Sequence, residues 1–153
     1  MDDRTFRDAM GKFATGVTII TTSVNNQVHG MTANAFMSVS LNPKLVLISI
    51  GEKANMNRLI QESGNFGISI LTKDQQDMSM YFAGQLKEKR MIDFDWMQDI
   101  PVVPDSMANI TCKVHASYQA GDHTLYIGEV IDIVVKDGEP LAFFEGKYRN
   151  LVN

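Results

Sequence analysis

Small and polar residues crowd the stretch from Gly30 to Ser40, where a strand pair would normally carry bulky apolar side chains. The stretch reads Gly-Met-Thr-Ala-Asn-Ala-Phe-Met-Ser-Val-Ser. Small side chains let a flat ligand approach the backbone, whose N–H and C=O groups then pair with the edge of a heterocycle. The same composition also suits an edge strand with a polar face. The residues alone leave both interpretations open.

The segment from Gly51 to Asn57 is a second candidate, because it follows an apolar strand and opens a helix. Free N–H groups and the helix dipole favour an anion at a helix N-terminus, and Lys53 adds a positive charge. This combination suits a phosphate group. On the residues alone, a plain helix cap with a solvated lysine is the preferred interpretation.

Two further segments could contribute polar groups to a pocket. Gly121-Asp122-His123-Thr124 is typical of a hairpin turn with an exposed imidazole, or it places a hydrogen-bonding group at a pocket mouth. Tyr148, after Gly146-Lys147, belongs to a surface tail or to an aromatic lid. Cys112 lies in an alternating strand, which favours structural burial over catalysis.

Several familiar catalytic signals do not occur in the chain. There is no Gly-x-Gly-x-x-Gly, no phosphate loop ending in Gly-Lys-Ser/Thr, and no His-Glu-x-x-His. The three histidines, His29, His115 and His123, lack the spacing that would indicate zinc. No cofactor site or metal site can therefore be assigned from a standard motif.

The elements that must position these residues are mostly strands. Alternation and β-branched runs predict strands at residues 17–22, 27–30, 36–41, 45–50, 66–71, 110–119, 124–135 and 140–144. Hairpin turns are expected at Asn25-Asn26 and at Asp137-Gly138, the second joining the last two strands. From Gln85 to Asp105 the charged, Pro-containing sequence predicts a long loop that carries Arg90 and Trp96.

Three short helices are expected between the strands. The first has Phe6, Met10 and Phe13 on one face, with Asp2 or Asp3 as its cap and Gly16 at its end. The second covers residues 54–62 and ends near Gly64. The third covers 72–83, where Thr72 and Gln75 have the spacing of a capping box. Many strands and few helices favour an antiparallel, barrel-like α+β or all-β fold over a doubly wound nucleotide-binding fold.

Length and composition limit the possible classes of protein. A chain of 153 residues with 44% hydrophobic and 21% charged residues is expected to form one domain, residues 1–153. A net charge of -4 disfavours a nucleic-acid partner. The single cysteine forms no intramolecular disulfide, and neither a signal peptide nor a membrane-spanning run is present. We expect a cytoplasmic protein with no membrane partner.

Five segments together carry a resemblance to a known family. They are residues 6–18, 29–36, 38–40, 121–124 and 146–148, and they occur in the family's order. Over essentially its whole length the chain resembles the short-chain flavin reductases of two-component aromatic hydroxylases, those that serve phenol hydroxylases most of all. The resemblance implies an FMN-binding split β-barrel, Greek-key-like and antiparallel. It also implies a homodimer.

The resemblance implies that NADH reduces FAD or FMN, and that a separate oxygenase component receives the reduced flavin. In such proteins the hydride chemistry belongs to the two cofactors, so no side chain is expected to be catalytic. The residues alone do not distinguish FAD from FMN. The choice of NADH over NADPH rests on the lack of a clear arginine cluster for a 2′-phosphate.

The site residues implied by the resemblance fall into three groups. The isoalloxazine-lining group is Thr32, Ala33, Asn34, Ala35, Phe36, Met37 and Ser38. The ribityl, phosphate and far-end group is Ser49, Ile50, Lys53, Ala54, Asn55, Met56, Asn57, Phe82, Ala83 and Arg90. His123 and Tyr148 are implied to bind NADH. Around Arg90 the chain departs from the family pattern, because Met91 and Asp93 stand where the family has Phe and Gly.

Two alternatives remain at this point. One is a non-catalytic flavin-binding or electron-carrier protein on the same scaffold. The other is a different split-barrel protein, either of the pyridoxamine-phosphate-oxidase type or haem-binding. The segments Thr32–Phe36 and Gly121–Thr124 favour the reductase over the second alternative, whereas sustained turnover with excess free flavin would distinguish it from the first.

Overall fold

The computed structural model describes residues 1–153 and is mainly β. Three α-helices are present: α1 (Asp3–Gly11), α2 (Asn55–Ser63) and α3 (Gln76–Phe82), the last preceded by a 3-10 turn at Lys73–Gln75. The first six strands are β1 (Thr15–Gly16), β2 (Thr18–Val24), β3 (Gln27–Ala33), β4 (Phe36–Leu41), β5 (Lys44–Gly51) and β6 (Asn65–Ile70). The other six are β7 (Asp95–Met97), β8 (Ile100–Val102), β9 (Ala108–Ala120), β10 (His123–Val135), β11 (Ala142–Phe144) and β12 (Lys147–Arg149).

Seven strands form one antiparallel sheet in the order β3-β2-β6-β9-β10-β5-β4. Its two edge strands, β3 and β4, are consecutive in the chain and are joined only by Asn34 and Ala35. Consecutive Cα atoms lie 3.8 Å apart, so Ala33 and Phe36 are within about 11 Å of each other. The sheet must therefore curl until its edges meet. Because β3 pairs only with β2 and β4 only with β5, the barrel stays open between them. The predicted antiparallel split barrel is confirmed.

Side chains from both faces of the curled sheet are buried. The inner cluster includes Ile20, Ile48, Phe66, Ile68 and Tyr126. A second cluster, made of Val17, Ile19, Leu71, Val103 and Leu141, packs on the other face of the sheet. Ile19 and Ile20 are adjacent and both fully buried, which explains the unbroken β-branched run of β2, since a strand covered on both faces does not alternate.

Most of the predicted local signals are confirmed. Asn25 and Asn26 both adopt positive φ in the turn between β2 and β3, and Gly64 ends α2 with φ 73°. The capping box of Thr72 and Gln75 is formed, with the Thr72 N–H donating to Gln75 Oε1 at 2.9 Å. These signals work because each needs only neighbouring residues.

The first helix differs from the prediction at its end. Asp2 caps it as expected, accepting a hydrogen bond from Thr5 N at 2.7 Å, but α1 ends at Gly11 and Gly16 lies in β1. No other part of the chain buries the predicted apolar face of this helix. Its three apolar side chains are more than half exposed: Phe6 54%, Met10 57% and Phe13 79%.

Two predictions about the later chain are wrong. The segment 85–105 is not a plain loop, because β7 and β8 form a hairpin there around Gln98 and Asp99, both with positive φ. Asp137-Gly138 does not join two paired strands. Strand β11 instead pairs with β1 and with β12, and the turn between β11 and β12 uses Glu145 and Gly146.

No helix in the structure combines the length and the apolar character that crossing a bilayer requires.

Candidate functional site

Three cavities follow one another along the open side of the barrel, and we name them A, B and C. Cavity A, about 760 Å³, is lined by Leu59 and by residues 28–32, 54–56, 81–84 and 86–89. Cavity B, about 190 Å³, is lined by Val17, Thr32, Ala33, Asn34, Ser79, Ala83, Gln85, Phe143 and Tyr148. Cavity C, about 640 Å³, is lined by residues 13–18, 34–37, Leu47 and Ile70.

The three cavities adjoin one another, and we call them together the groove. Thr32 and Ala83 line both A and B, and Val17 and Asn34 line both B and C. The groove therefore runs along the edge of β3, past the link between the two edge strands, and onto the start of β4.

The walls of this groove offer backbone groups more than side chains. Edge strands have a row of N–H and C=O groups without a ladder partner, and β3 and β4 are both edges. The Thr32 hydroxyl is turned away, donating to the carbonyl of Ser79 at 2.6 Å, and Thr18 Oγ1 donates to the carbonyl of Ala33 at 2.7 Å. Thr15, which lines cavity C, has a buried hydroxyl with no hydrogen-bond partner in the chain.

The predicted ring-lining segment is divided between two cavities. Thr32, Ala33 and Asn34 line cavity B, and Asn34, Ala35, Phe36 and Met37 line cavity C. Ser38 lines none of the three cavities and precedes an irregularity in the pairing of β4 with β5. The structure thus brings six of these seven residues to the groove.

Small residues in β3 also allow a close contact behind cavity A. A Cβ atom at Gly30 would lie 2.6 Å from Cε1 of Phe82. Phe82 in turn contacts Tyr81 edge-to-face at 5.1 Å and lies 6.2 Å from Phe94. The absence of a side chain at Gly30 is what lets the Phe82 ring form this wall of the cavity.

The segment predicted to bind phosphates meets cavity A at the N-terminus of α2. Lys53, Ala54, Asn55 and Asn57 line an adjoining polar pocket of about 440 Å³, and Ala54 and Asn55 also line cavity A. Ala54 is the N-cap residue and provides no side-chain cap, so the first N–H groups of α2 have no side-chain partner. Free N–H groups beside Lys53 suit an anion.

The side chain of Asn57 is used within the protein. Its Oδ1 accepts from Tyr126 Oη and from Gln61 Nε2, and its Nδ2 donates to Thr124 Oγ1 at 2.9 Å and to the Gly51 carbonyl at 3.4 Å. Asn57 is buried, and burial also raises the pKa of Tyr126. Asn57 therefore fixes the turn that precedes α2 and leaves no free side-chain group for a ligand.

The remaining residues of the predicted flavin site have different surroundings. Met56 and Phe82 line cavity A, and Ala83 lines both A and B. Ile50 is fully buried in the inner core, and the Ser49 N–H donates to the Ala35 carbonyl at 3.3 Å; neither lines the groove.

Arg90 lies beside the groove and is bound by carboxylates. Its guanidinium donates to Asp77 Oδ2 at 2.9 Å and to Glu88 Oε1 at 2.9 Å, and it lies 5.7 Å from the centre of the Tyr81 ring. Hydrogen bonds to Glu88 and then to Asp77 raise the pKa of Arg90. Arg90 lines none of the three cavities, and its contacts hold the segment that follows α3 against that helix.

Of the two residues implied to bind NADH, one lines cavity B and the other lies outside the three cavities. Tyr148 lines cavity B, with its hydroxyl 2.7 Å from Ser79 Oγ and its ring edge-to-face with Phe143 at 5.5 Å. His123 is exposed at the start of β10, opposite Gly51 in register, and lines none of the three cavities. Its Nδ1 lies 2.8 Å from Asp122 Oδ1, and this contact lowers the pKa of Asp122.

Sequence reasoning missed several residues that line the groove, among them Thr15, Val17, Ser79, Gln85 and Phe143. Ser79 looks like an ordinary polar position of a short helix. Thr15 and Val17 lie in a segment that reads as the start of a buried strand. No local pattern marks any of them, because the groove is assembled from segments distant in sequence.

The curled sheet and the groove along its open side define an antiparallel split barrel with adjoining cavities beside its edge strands. A family model described as flavin reductase like domain matches residues 10–152. The chain therefore belongs to the flavin reductase-like family, as its resemblance implied.

Similar proteins agree with this assignment. An NADH-dependent flavin reductase of Rhodococcus sp is 47% identical over 148 residues, covering 95% of this chain and 84% of that protein. The reductase component of 4-hydroxyphenylacetate 3-monooxygenase of Thermus thermophilus is 35% identical, covering 96% and 95%. The solved structure of flavin reductase PheA2 in its native state has a TM-score of 0.98 and 59% identity, covering 100% of both chains. Other relatives are named as NADH-dependent reductases of FMN or of FAD.

Proposed function

We propose that the 153 residues act as one domain that reduces FAD or FMN with NADH and releases the reduced flavin to a separate oxygenase. The observation that carries this proposal is the groove along the open side of the barrel, with a phosphate-compatible turn at one end and unpaired strand edges at the other. Membership of the flavin reductase-like family supports the choice of ligands.

The residues present suit a flavin. Thr32–Met37 would hold the isoalloxazine, since the small side chains of Thr32–Ala35 leave the strand edges accessible to the polar rim of the ring. The phosphate end lies at the start of α2, where Lys53 supplies the charge and the uncapped helix supplies N–H donors. A bound flavin would supply the hydride acceptor at N5, and C4 of NADH would give up the hydride and become NAD⁺.

The chain contributes positioning, since no proton transfer by a side chain is required for this step. Cavity B is the slot next to Thr32–Asn34, and its only titratable lining group is the phenol of Tyr148. Phe143 and Tyr148 form the aromatic wall against which a nicotinamide stacks. Fixed backbone donors of β3 stabilise negative charge as the flavin ring gains electrons.

Steady-state turnover tests the proposal directly. Purified protein mixed with NADH and excess free FAD, FMN or riboflavin should consume NADH through many cycles, whereas an electron carrier would stop after one equivalent. Failure to turn over with any flavin would refute the enzymatic function.

The proposed phosphate contact has its own variant and control. Lys53→Met should weaken the binding of FMN and FAD about tenfold, the effect of losing one charge-assisted hydrogen bond, and should leave riboflavin unchanged. Lys44→Met removes an exposed lysine at the opposite end of β5 and is the matched control. Equal losses for riboflavin and FMN would place the phosphate elsewhere.

His123 and Tyr148 are proposed to bind NADH. His123→Ala should raise the KM for NADH much more than it weakens flavin binding. His123 lies opposite Gly51 in register, whereas Tyr148 lines cavity B. The experiment therefore also tests whether the imidazole contacts the flavin and not NADH. A loss of flavin affinity with unchanged NADH dependence would assign the imidazole to the flavin.

We further propose a homodimer. Met37, Val39 and Leu41 of β4 are exposed, and the apolar face of α1 is exposed as well. Apolar surface of this extent on a small protein is typical of an interface. Sedimentation should show a dimer, and Val39→Asp should dissociate it. A monomeric wild type would refute this assembly.

The recipient of the reduced flavin is proposed to be an aromatic hydroxylase of the phenol type, supported by the resemblance and by the hydroxyphenylacetate reductase among the relatives. A cytoplasmic location fits this role, since NADH is formed and consumed there. Adding the protein, NADH and flavin to purified phenol hydroxylase component should restore hydroxylation of phenol, and no product would refute the pairing.

A further inference from the structure

Ser79 contacts two walls of the groove at once. It lies in α3, is fully buried (0% exposed) and lines cavity B. Its carbonyl accepts a hydrogen bond from Thr32 Oγ1 at 2.6 Å, in addition to the helical bond from Ala83 N at 3.1 Å. Its hydroxyl lies 2.7 Å from the hydroxyl of Tyr148. One residue of α3 therefore connects the edge strand β3 with the C-terminal strand β12.

These two bonds set the width of cavity B. Thr32 belongs to the strand edge on which the flavin ring is placed, and Tyr148 belongs to the opposite, aromatic wall. Phe143 packs edge-to-face on Tyr148 at 67° between ring planes, so the phenol ring is held from a second side. The bond to Ser79 is the one hydrogen bond that the Tyr148 hydroxyl makes within the chain.

We propose that Ser79 is a positioning residue for hydride transfer, which it serves by holding Tyr148 at a fixed distance from the Thr32 edge. The inference rests on the proposed function. Hydride transfer requires the two rings to lie at near-attack distance, and a displacement of about 1 Å costs on the order of a hundredfold in rate. If Tyr148 could move by a fraction of 1 Å, the rate of hydride transfer should fall by a smaller factor.

The test is a double-mutant cycle of Ser79→Ala and Tyr148→Phe, with flavin saturating. Each single variant removes the same hydroxyl–hydroxyl bond, so each should lower kcat/KM for NADH about tenfold, and the double variant should lose no more than a further factor of about two. The primary deuterium isotope effect with 4-deuterated NADH should rise in all three variants, because hydride transfer becomes more rate-limiting. Flavin affinity should stay within about twofold of the wild type.

Ser69→Ala is the matched control. Ser69 is equally buried and also loses one hydrogen bond, from Val103 N at 2.9 Å, but it lines none of the three cavities. It should lower the unfolding free energy without changing the isotope effect or the dependence on NADH. If Ser79→Ala fails to fold, Tyr148→Phe removes the same bond from the partly exposed side and still carries the kinetic test.

Three results would overturn the inference. Additive losses in the double variant would show that the two hydroxyls act separately. An unchanged isotope effect in Tyr148→Phe, or the same kinetic change in Ser69→Ala, would reduce Ser79 to a contributor to stability. Absence of turnover in the wild type would instead refute the proposed function, and this inference with it.

Discussion

Gly30→Ala should push the Phe82 ring out of its place in the wall of cavity A. The new Cβ would lie 2.6 Å from Cε1 and 2.7 Å from Cδ1 of Phe82, whereas carbon atoms in contact are separated by about 3.5–4.0 Å. The ring must therefore move by about 1 Å. Tyr81 and Phe94 pack against it and restrict that movement.

The expected cost follows from two opposing contributions. Overpacking of a filled site destabilises by about 1–3 kcal/mol, and replacing glycine within a strand returns about 0.5–1 kcal/mol. The net loss of unfolding free energy should be about 0.5–2 kcal/mol, or a few degrees in Tm for a chain of this length. Flavin affinity should fall as well, because both residues line cavity A.

Urea denaturation followed by circular dichroism, together with flavin titration, measures both effects. Phe82→Leu, which makes room at the same site, should recover part of the loss when combined with Gly30→Ala, giving a coupling of about 1 kcal/mol. If Gly30→Ala proves as stable as the wild type, or if the two changes are simply additive, the contact between these residues does not constrain the cavity.

Three other perturbations have defined outcomes. Asn57→Ala should lower the unfolding free energy by about 1–3 kcal/mol in denaturant titrations, since it removes the side-chain bonds to Tyr126, Gln61 and Thr124 and leaves the buried Tyr126 hydroxyl only the residue-57 carbonyl at 3.1 Å; a loss below about 1 kcal/mol would contradict this. Gly67→Ala should cost more than Gly30→Ala in the same assay, because its Cβ would lie 2.5 Å from the rigid Pro101 carbonyl. Burial raises the pKa of Cys112 from 9.0 to about 12. The unfolded chain therefore loses this proton first, and the thiol should lower stability between pH 9 and 12 by up to about 1.4 kcal/mol per pH unit, a contribution to the slope that Cys112→Ala should remove.

The sequence predicted the local elements well, because their signals lie within a few residues of one another. The asparagine pair at 25–26, Gly64 and the Thr72–Gln75 capping box each act on a single turn. Pairing between distant strands gives no such signal. Asp137-Gly138 has the composition of a hairpin turn, yet β11 gains its partners from β1 and β12, so long-range pairing decided the outcome.

The site was predictable only where a continuous segment forms it. Residues 32–37 line the groove in one run and were found as a compositional anomaly and by resemblance. Asn57 and Arg90 illustrate the limit, since their types suit ligand binding but their side chains are occupied by protein partners. Ser79 had no distinguishing neighbour in sequence, because its importance comes from strands that meet it only in the folded chain.

The opening between β3 and β4 leaves two sheet edges bare beside each other, joined by a connection of only two residues. Bare edges recruit other strands, which is a common start of self-association. A ligand bound in the opening covers both edge strands. A reductase that releases its flavin therefore exposes both edges once in every catalytic cycle. Excess flavin during storage should therefore reduce aggregation of the protein, and removal of the flavin should increase it.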